Sequence, residues 1–196
     1  MQNHDKLKST QILGEEHRLW KEILKGDEQA FETLYRIQYP FLFNYGLKLS
    51  QQEELVKDSI QEVFAYIWEK RRKLTVTESI RAYLLVSLRR LLLNALAKER
   101  KQRKANEEFT IEQLENVFPI EDMIIFQELE NSKRLELKKA FEEIPARMRE
   151  ALFLKTYNGL AYKEIAAIMN VEGQVARNYV SDAFRRLRHI LGEKAV

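Results

Sequence analysis

The sequence predicts an all-α protein made of two helical domains joined by a flexible acidic linker. Three observations carry that expectation. The 196 residues hold only six Gly and three Pro, too few for the many turns of a β fold. Apolar side chains recur at steps of three and four through residues 15–104 and again through 122–196, which places them on one face of a helix. Between the two stretches, residues 105–121, "ANEEFTIEQLENVFPIE", keep no sustained period and contain Pro119. Residues 1–14 read as an N-terminal tail.

In the first domain, Leu19, Trp20, Ile23 and Leu24 form one apolar stripe that stops at Gly26. Asp27 offers an N-cap to a second helix with Ala30, Phe31, Leu34 and Tyr35 inward, and Pro40 is expected to end it. Ser50 followed by Glu53 has the spacing of a capping box for a third helix, whose inner face is Val56, Ile60, Val63, Phe64 and Ile67. The basic stretch "KRRKLTVTES" reads as a turn. A long fourth helix starts near Ile80 and runs into a Lys/Arg-rich end, with Ile80, Leu84, Leu88, Leu91 and Ala95 toward the other helices.

The second domain opens with "DMIIFQELENSKRLELKKAFEEI", helical up to Pro145, and continues with "ARMREALFLKTY", which stops at Asn158-Gly159. Two short helices follow. Ile165, Ala166 and Met169 supply the inner face of the first, and Val171, Ala176 and Tyr179 cover it from the second. Asn170 sits between them, where a left-handed backbone is needed and Asn is the best choice after glycine. This is a helix-turn-helix pattern, in which the small Ala166 lets the helices approach steeply. Its second helix exposes Gln174, Arg177, Asn178 and Ser181, in the half that enters a major groove in such motifs. Arg bonds guanine edges while Asn and Gln bond adenine, so these types can read bases. Arg185, Arg186 and Arg188 lie farther along, suited to phosphate.

Two surface rows stand out in the first domain. Asp58, Gln61 and Glu62 share a face of the third helix by their i, i+3, i+4 spacing, and that polar face is free for a partner. On the fourth helix Val86, Arg90, Asn94, Lys98 and Lys101 form a row turned partly away from the leucines. Such a cationic row suits a nucleic-acid backbone with unstacked bases. The net charge of +3 conceals strong segregation. Residues 81–104 carry Arg81, Arg89, Arg90, Lys98, Arg100, Lys101, Arg103 and Lys104 against Glu99 alone. Residues 107–130 carry Glu107, Glu108, Glu112, Glu115, Glu121, Asp122, Glu128 and Glu130 and no base.

Several classes are disfavoured. With 45% hydrophobic and 32% charged residues the chain can bury a core, so it is not a disordered protein. The absence of cysteine removes disulfides, thiolate metal sites and a cysteine nucleophile, and suits a reducing cytoplasm. His4, His17 and His189 have no metal-ligand spacing. No glycine-rich phosphate loop and no nucleophile with its base is apparent, so neither an enzyme, a cofactor nor a small-molecule substrate is expected. The longest apolar stretch, "YLLVSLRRLLLNALA", is interrupted by Arg89 and Arg90 and is too short to cross a bilayer. The start "MQNHDKLKST" has no apolar signal core, so a protein neither exported nor membrane-embedded is expected. On these residues alone two readings stand: a helix-turn-helix regulator that binds DNA by itself, and a helical adaptor without nucleic acid.

Over residues from about 15 to 192 the sequence resembles bacterial sigma factors of the extracytoplasmic-function group, within the sigma-70 family. These consist of a sigma2-like helical bundle and a sigma4-like helix-turn-helix domain on a flexible linker. "GDEQAFETLYRIQYPFLFNYGLKL" is similar to the family's opening helices. "DSIQEVFAYIW" is similar to the stretch that docks on the clamp helices of core RNA polymerase, which implies that role for Asp58, Gln61, Glu62, Phe64 and Trp68. "SIRAYLLVSLRRLLLNALAKERKQRK" falls where the family melts DNA and recognises the minus-10 element, implying DNA contacts for Arg90, Asn94, Lys98 and Lys101. "EEIPARMREALFLKTYNGLAYKEIAAIMNVEGQVARNYVSDAFRRLRHIL" resembles the domain that recognises the minus-35 element and contacts the polymerase flap, which places Gln174, Arg177, Asn178 and Ser181 on DNA. The resemblance implies promoter DNA and polymerase as partners, and an anti-sigma factor as a restraining one. It departs at Arg90, where the family often has Asn, at Asn94, where it often has Asp, and at Tyr83, where it has Trp.

Overall fold

Among the residues that the computed structural model describes, 2–103 and 131–192, the chain is helical and contains no strand. The helices are α1 (Gln2–Lys25), α2 (Glu28–Ser50), α3 (Glu53–Lys70), α4 (Ile80–Arg103), α5 (Asn131–Glu142), α6 (Ala146–Thr156), α7 (Tyr162–Met169) and α8 (Gly173–Gly192). The expected linker 105–121 and the start of the second domain, 122–130, lie outside the described residues. The chain divides into two compact units, one of residues 1–47 and 52–92, the other of 48–51 and 93–196. The division between them falls inside α4. "LLLNALAKERKQR" holds neither Gly nor Pro, so nothing breaks the helix there.

Gly26 ends α1 as expected. Its φ of +100° is open to glycine, and its N–H donates to the Ile23 carbonyl at 2.9 Å while the Asp27 N–H donates to that of Glu22 at 3.1 Å. Asp27 then caps α2, its Oδ1 accepting from the Ala30 N–H at 2.8 Å. Two expectations are corrected. The helix already covers residues 2–14, read above as a tail, because nothing before Gly14 interrupts it. Pro40 does not end α2 but lies inside it. Proline in a helix interior costs about 3 kcal/mol, whereas continuing the helix fully buries Leu42 and Tyr45. Large apolar side chains gain about 1.5–3 kcal/mol each on full burial, so two of them offset the proline.

The third helix has the expected inner face, with Val56, Ile60, Val63, Phe64 and Ile67 all buried. It lacks the expected capping box. Ser50 still belongs to α2, Gln51 takes a left-handed φ of 57°, and extended Gln52 occupies the N-cap position. On α4 the stripe begins as expected with Ile80, Leu84 and Leu88, but continues through Leu92 and Leu96 instead of Leu91 and Ala95. The step from 88 is four residues, a choice that periodicity alone does not make in a run of three leucines.

A buried polar cluster ties three helices of this unit. Glu16 on α1 accepts from Gln38 Nε2 on α2 at 2.7 Å and from Arg81 on α4 at 3.0 Å, and Arg81 Nε donates to Gln38 Oε1 at 3.1 Å. The Arg81 guanidinium lies 3.7 Å from the Phe41 ring centroid. Trp20 fixes the loop after α3, donating from Nε1 to the Thr75 carbonyl at 3.0 Å and meeting the Tyr83 ring edge to face at 5.6 Å.

In the second unit, α6 ends where Gly159, with φ +68°, lets the chain turn back. Ile165, Ala166, Ile168 and Met169 are the buried face of α7, and Asn170 follows in the left-handed conformation at φ 53°, ψ 53°. The Val171 N–H donates to the Ala166 carbonyl across this turn at 3.0 Å. Ala161 has no side-chain oxygen with which to cap α7, but Glu164 reaches back to accept from the Ala161 N–H at 2.5 Å.

Candidate functional site

The recognition-helix expectation is met in placement. Gln174, Arg177, Asn178 and Ser181 are all exposed on α8, along one face at i, i+3, i+4 and i+7. The opposite face is fully buried Ala176 with Val180, Ala183 and Leu187. Tyr179, expected inside, is only half-buried. From Ala176, steps of four, three and four reach Val180, Ala183 and Leu187 and leave Tyr179 to one side. Gln174 Nε2 donates to Asn178 Oδ1 at 2.9 Å, so the two amides hold each other by a bond that does not use the Asn178 amide protons or the Gln174 carbonyl. The Arg177 guanidinium rests 5.3 Å from the Tyr162 ring centroid on α7. Arg185, Arg186 and Arg188 are exposed; Arg185 is paired with Asp182 at 2.7 Å. Exposed Phe184 was not singled out from the sequence, where it reads as one more apolar residue in a helix.

The row on α4 is likewise outward: Val86, Arg90, Asn94, Lys98 and Lys101 are all exposed. Beside it lies a groove of about 320 Å³ whose lining includes Glu62, Tyr66, Tyr83, Val86 and Arg90. Burial raises the Tyr83 phenol above its ordinary value, with Tyr66 adding to the shift and the Arg90 charge opposing it. The phenol therefore stays neutral and keeps its proton as a donor. Tyr66 is half exposed and lines the same groove as Arg90, and aromatic rings with cations in one groove are what unstacked bases settle on. Sequence reading missed Tyr66 because it lies next to the inward Ile67 in an apolar run.

On α3, Asp58, Gln61 and Glu62 are exposed as expected. Phe64 is not at the surface. It is 3% exposed and packs edge to face on Phe31 at 5.7 Å and Tyr35 at 4.8 Å, at the base of that face. Trp68 is half-buried, 5.1 Å from the Phe31 ring and under the Arg71 guanidinium at 4.2 Å. Phe31 and Tyr35, expected inward, instead line an apolar groove of about 570 Å³ with Phe64, Ala65 and Trp68, edged by Glu28 and Gln61. In the basic loop, Arg71 also donates to the Trp68 carbonyl and thereby closes α3, while Arg72 and Lys73 are exposed.

Two family models match the sequence: Sigma-70 region 2 over residues 34–102 and Sigma-70, region 4 over residues 134–187. No curated protein matches it. The fold is similar to that of the sigma factor RpoE of Bartonella quintana, co-crystallised with the anti-sigma factor NepR. That likeness has a TM-score of 0.56 and 22% identity, and covers 84% of this chain and 98% of that one. It is also similar to CnrH in complex with the cytosolic domain of CnrY, with a TM-score of 0.57, 16% identity and coverage of 91% and 98%. Among the described residues no helix is long and apolar enough to cross a membrane.

Proposed function

The chain belongs to the sigma-70 family, and we propose that it works in the two-domain form of the extracytoplasmic-function group, its region 2 and its region 4 each taking one promoter element. As a sigma factor it is a non-enzymatic transcription factor that directs RNA polymerase to promoters. In the proposed division of labour, Asp58, Gln61 and Glu62, with Phe64 and Trp68 in the groove beside them, dock on the clamp helices of core polymerase. Arg90, Asn94, Lys98 and Lys101 follow the minus-10 strand, and Gln174, Arg177, Asn178 and Ser181 read the minus-35 element while the same domain meets the flap. The protein acts in the cytoplasm, where polymerase and genome meet. A restraining anti-sigma partner belongs to this reading too, since RpoE, of similar fold, is held by NepR.

The energetics are consistent with a protein that adds no chemistry. Opening DNA costs about 1.4 kcal/mol per base-pair step in lost stacking. Each base held against an aromatic ring returns about 1–3 kcal/mol, and contacts from Arg90, Lys98 and Lys101 to phosphate add a salt-dependent term. The observation that carries the reading is the outward set on α8, held by the left-handed turn at Asn170, within the residues matched by region 4. Run-off transcription with core polymerase on a genomic promoter library tests it. Initiation at a discrete set of promoters is expected. Folded protein that starts no transcript, yet binds a palindromic duplex alone, would identify a conventional regulator instead.

A further inference from the structure

Arg177 is a four-torsion side chain on an open helix face, and such a side chain loses rotamer freedom when it grips a base edge. In this protein it is held beforehand. Its guanidinium lies 5.3 Å from the centroid of Tyr162, the first residue of α7. The same ring is approached from α6 by Lys155, whose Nζ lies 4.9 Å from the centroid and donates to the Leu160 carbonyl at 3.0 Å. Lys155 is thus fixed by the turn that ends α6, the ring by the start of α7, and Arg177 by the ring. Tyr162 is half-buried and Arg177 exposed, so the stack contributes little to the core. Its plain physical effect is to limit where the guanidinium points.

We infer that Tyr162 is a positioning residue for promoter specificity: its ring pre-orients Arg177 toward one upstream base, without itself reading sequence. The inference rests on the assignment of Arg177 to base reading. It makes a demand that a packing role does not, because the effect must run through the negative face of the ring and through Arg177 alone.

The test uses holoenzyme, assembled from core polymerase and each full-length variant, on promoters randomised across the upstream element and sequenced after a single round of initiation. Tyr162→Phe keeps the ring face and is expected to leave the base preferences unchanged. Tyr162→Leu is expected to lower discrimination about two- to five-fold at the base that Arg177 reads, and at no other. In an Arg177→Ala background the same change should do nothing more. Should the leucine variant melt early, a ring-fluorinated phenylalanine at 162 keeps the shape while removing the negative face, and should reproduce the loss. A uniform loss over all positions, the same change in the Arg177→Ala background, or full discrimination with the fluorinated ring would overturn the inference while leaving Arg177 a base reader. An Arg177→Ala variant with unaltered preference would remove that assignment and this inference with it.

Discussion

Gly46 turns an ordinarily stabilising change into a destabilising one. It lies inside α2, where replacing glycine by alanine on an open helix gains about 1 kcal/mol. Here an added Cβ would stand 2.8 Å from Val56 Cγ1, 3.2 Å from Val56 Cγ2 and 3.3 Å from Leu92 Cδ1. Carbon atoms rest at about 3.5–4.0 Å. Val56 is fully buried on α3 and, as a β-branched residue in a helix, has one strongly preferred rotamer, so it cannot swing away. Relief requires backbone movement between α2 and α3, at the upper part of the overpacking range, about 2–3 kcal/mol. Subtracting the helix gain leaves Gly46→Ala destabilised by about 1–2 kcal/mol, a fall in melting temperature of roughly 4–8 °C per kcal/mol for a domain of this size. Circular dichroism melts and urea titrations of the full chain measure it. Gly14→Ala is the control, since a Cβ there meets nothing within 4 Å, and it should be neutral or stabilising. In a Val56→Ala background the penalty at Gly46 should vanish, a coupling of about 1–2 kcal/mol. A more stable Gly46→Ala in the unmodified chain would refute the reasoning.

Other substitutions separate fold from function. Glu62→Lys reverses a charge on the exposed face of α3 and should weaken association with core polymerase without lowering the melting temperature; unchanged association would remove Glu62 from the interface. Arg177→Ala should cost about 1–3 kcal/mol of preference at one upstream base with core binding intact, whereas equal loss on every sequence would make Arg177 a phosphate contact. Arg81→Met leaves Glu16, with 4% of its side chain exposed, without its cation and should destabilise by about 3 kcal/mol in denaturant titrations; a loss under 1 kcal/mol would mean that water replaces the guanidinium.

The features legible in the sequence were those set by one residue and its near neighbours. Gly26 with Asp27 ends one helix and caps the next by bonds spanning at most five residues, and Asn170 turns the chain by its own tolerance of a positive φ. The exposed rows followed from helical spacing because a charged residue opposite an apolar stripe has only one place to go. What escaped depended on burial that short windows do not contain. Pro40 reads as a stop until Leu42 and Tyr45 are seen in the core behind it. Phe31 and Tyr35 read as inward residues until they are seen on α2 against Phe64, lining a groove. The cluster of Glu16, Gln38 and Arg81 joins residues 22 to 65 positions apart, a separation at which no local pattern is visible. The stacking of Arg177 on Tyr162 is also non-local, and it converts a residue that looked merely exposed into one with a set direction.

The central claim is that region 2 and region 4 each hold one promoter element for the same polymerase, so the separation of the two elements along DNA must be met. Inserting about 5 base pairs, half a helical turn, between the two elements of a responsive promoter turns the upstream site to the far side of the duplex. The account predicts that initiation by the holoenzyme collapses with the half-turn insertion. Transcription at undiminished rate with the elements rotated apart would contradict it.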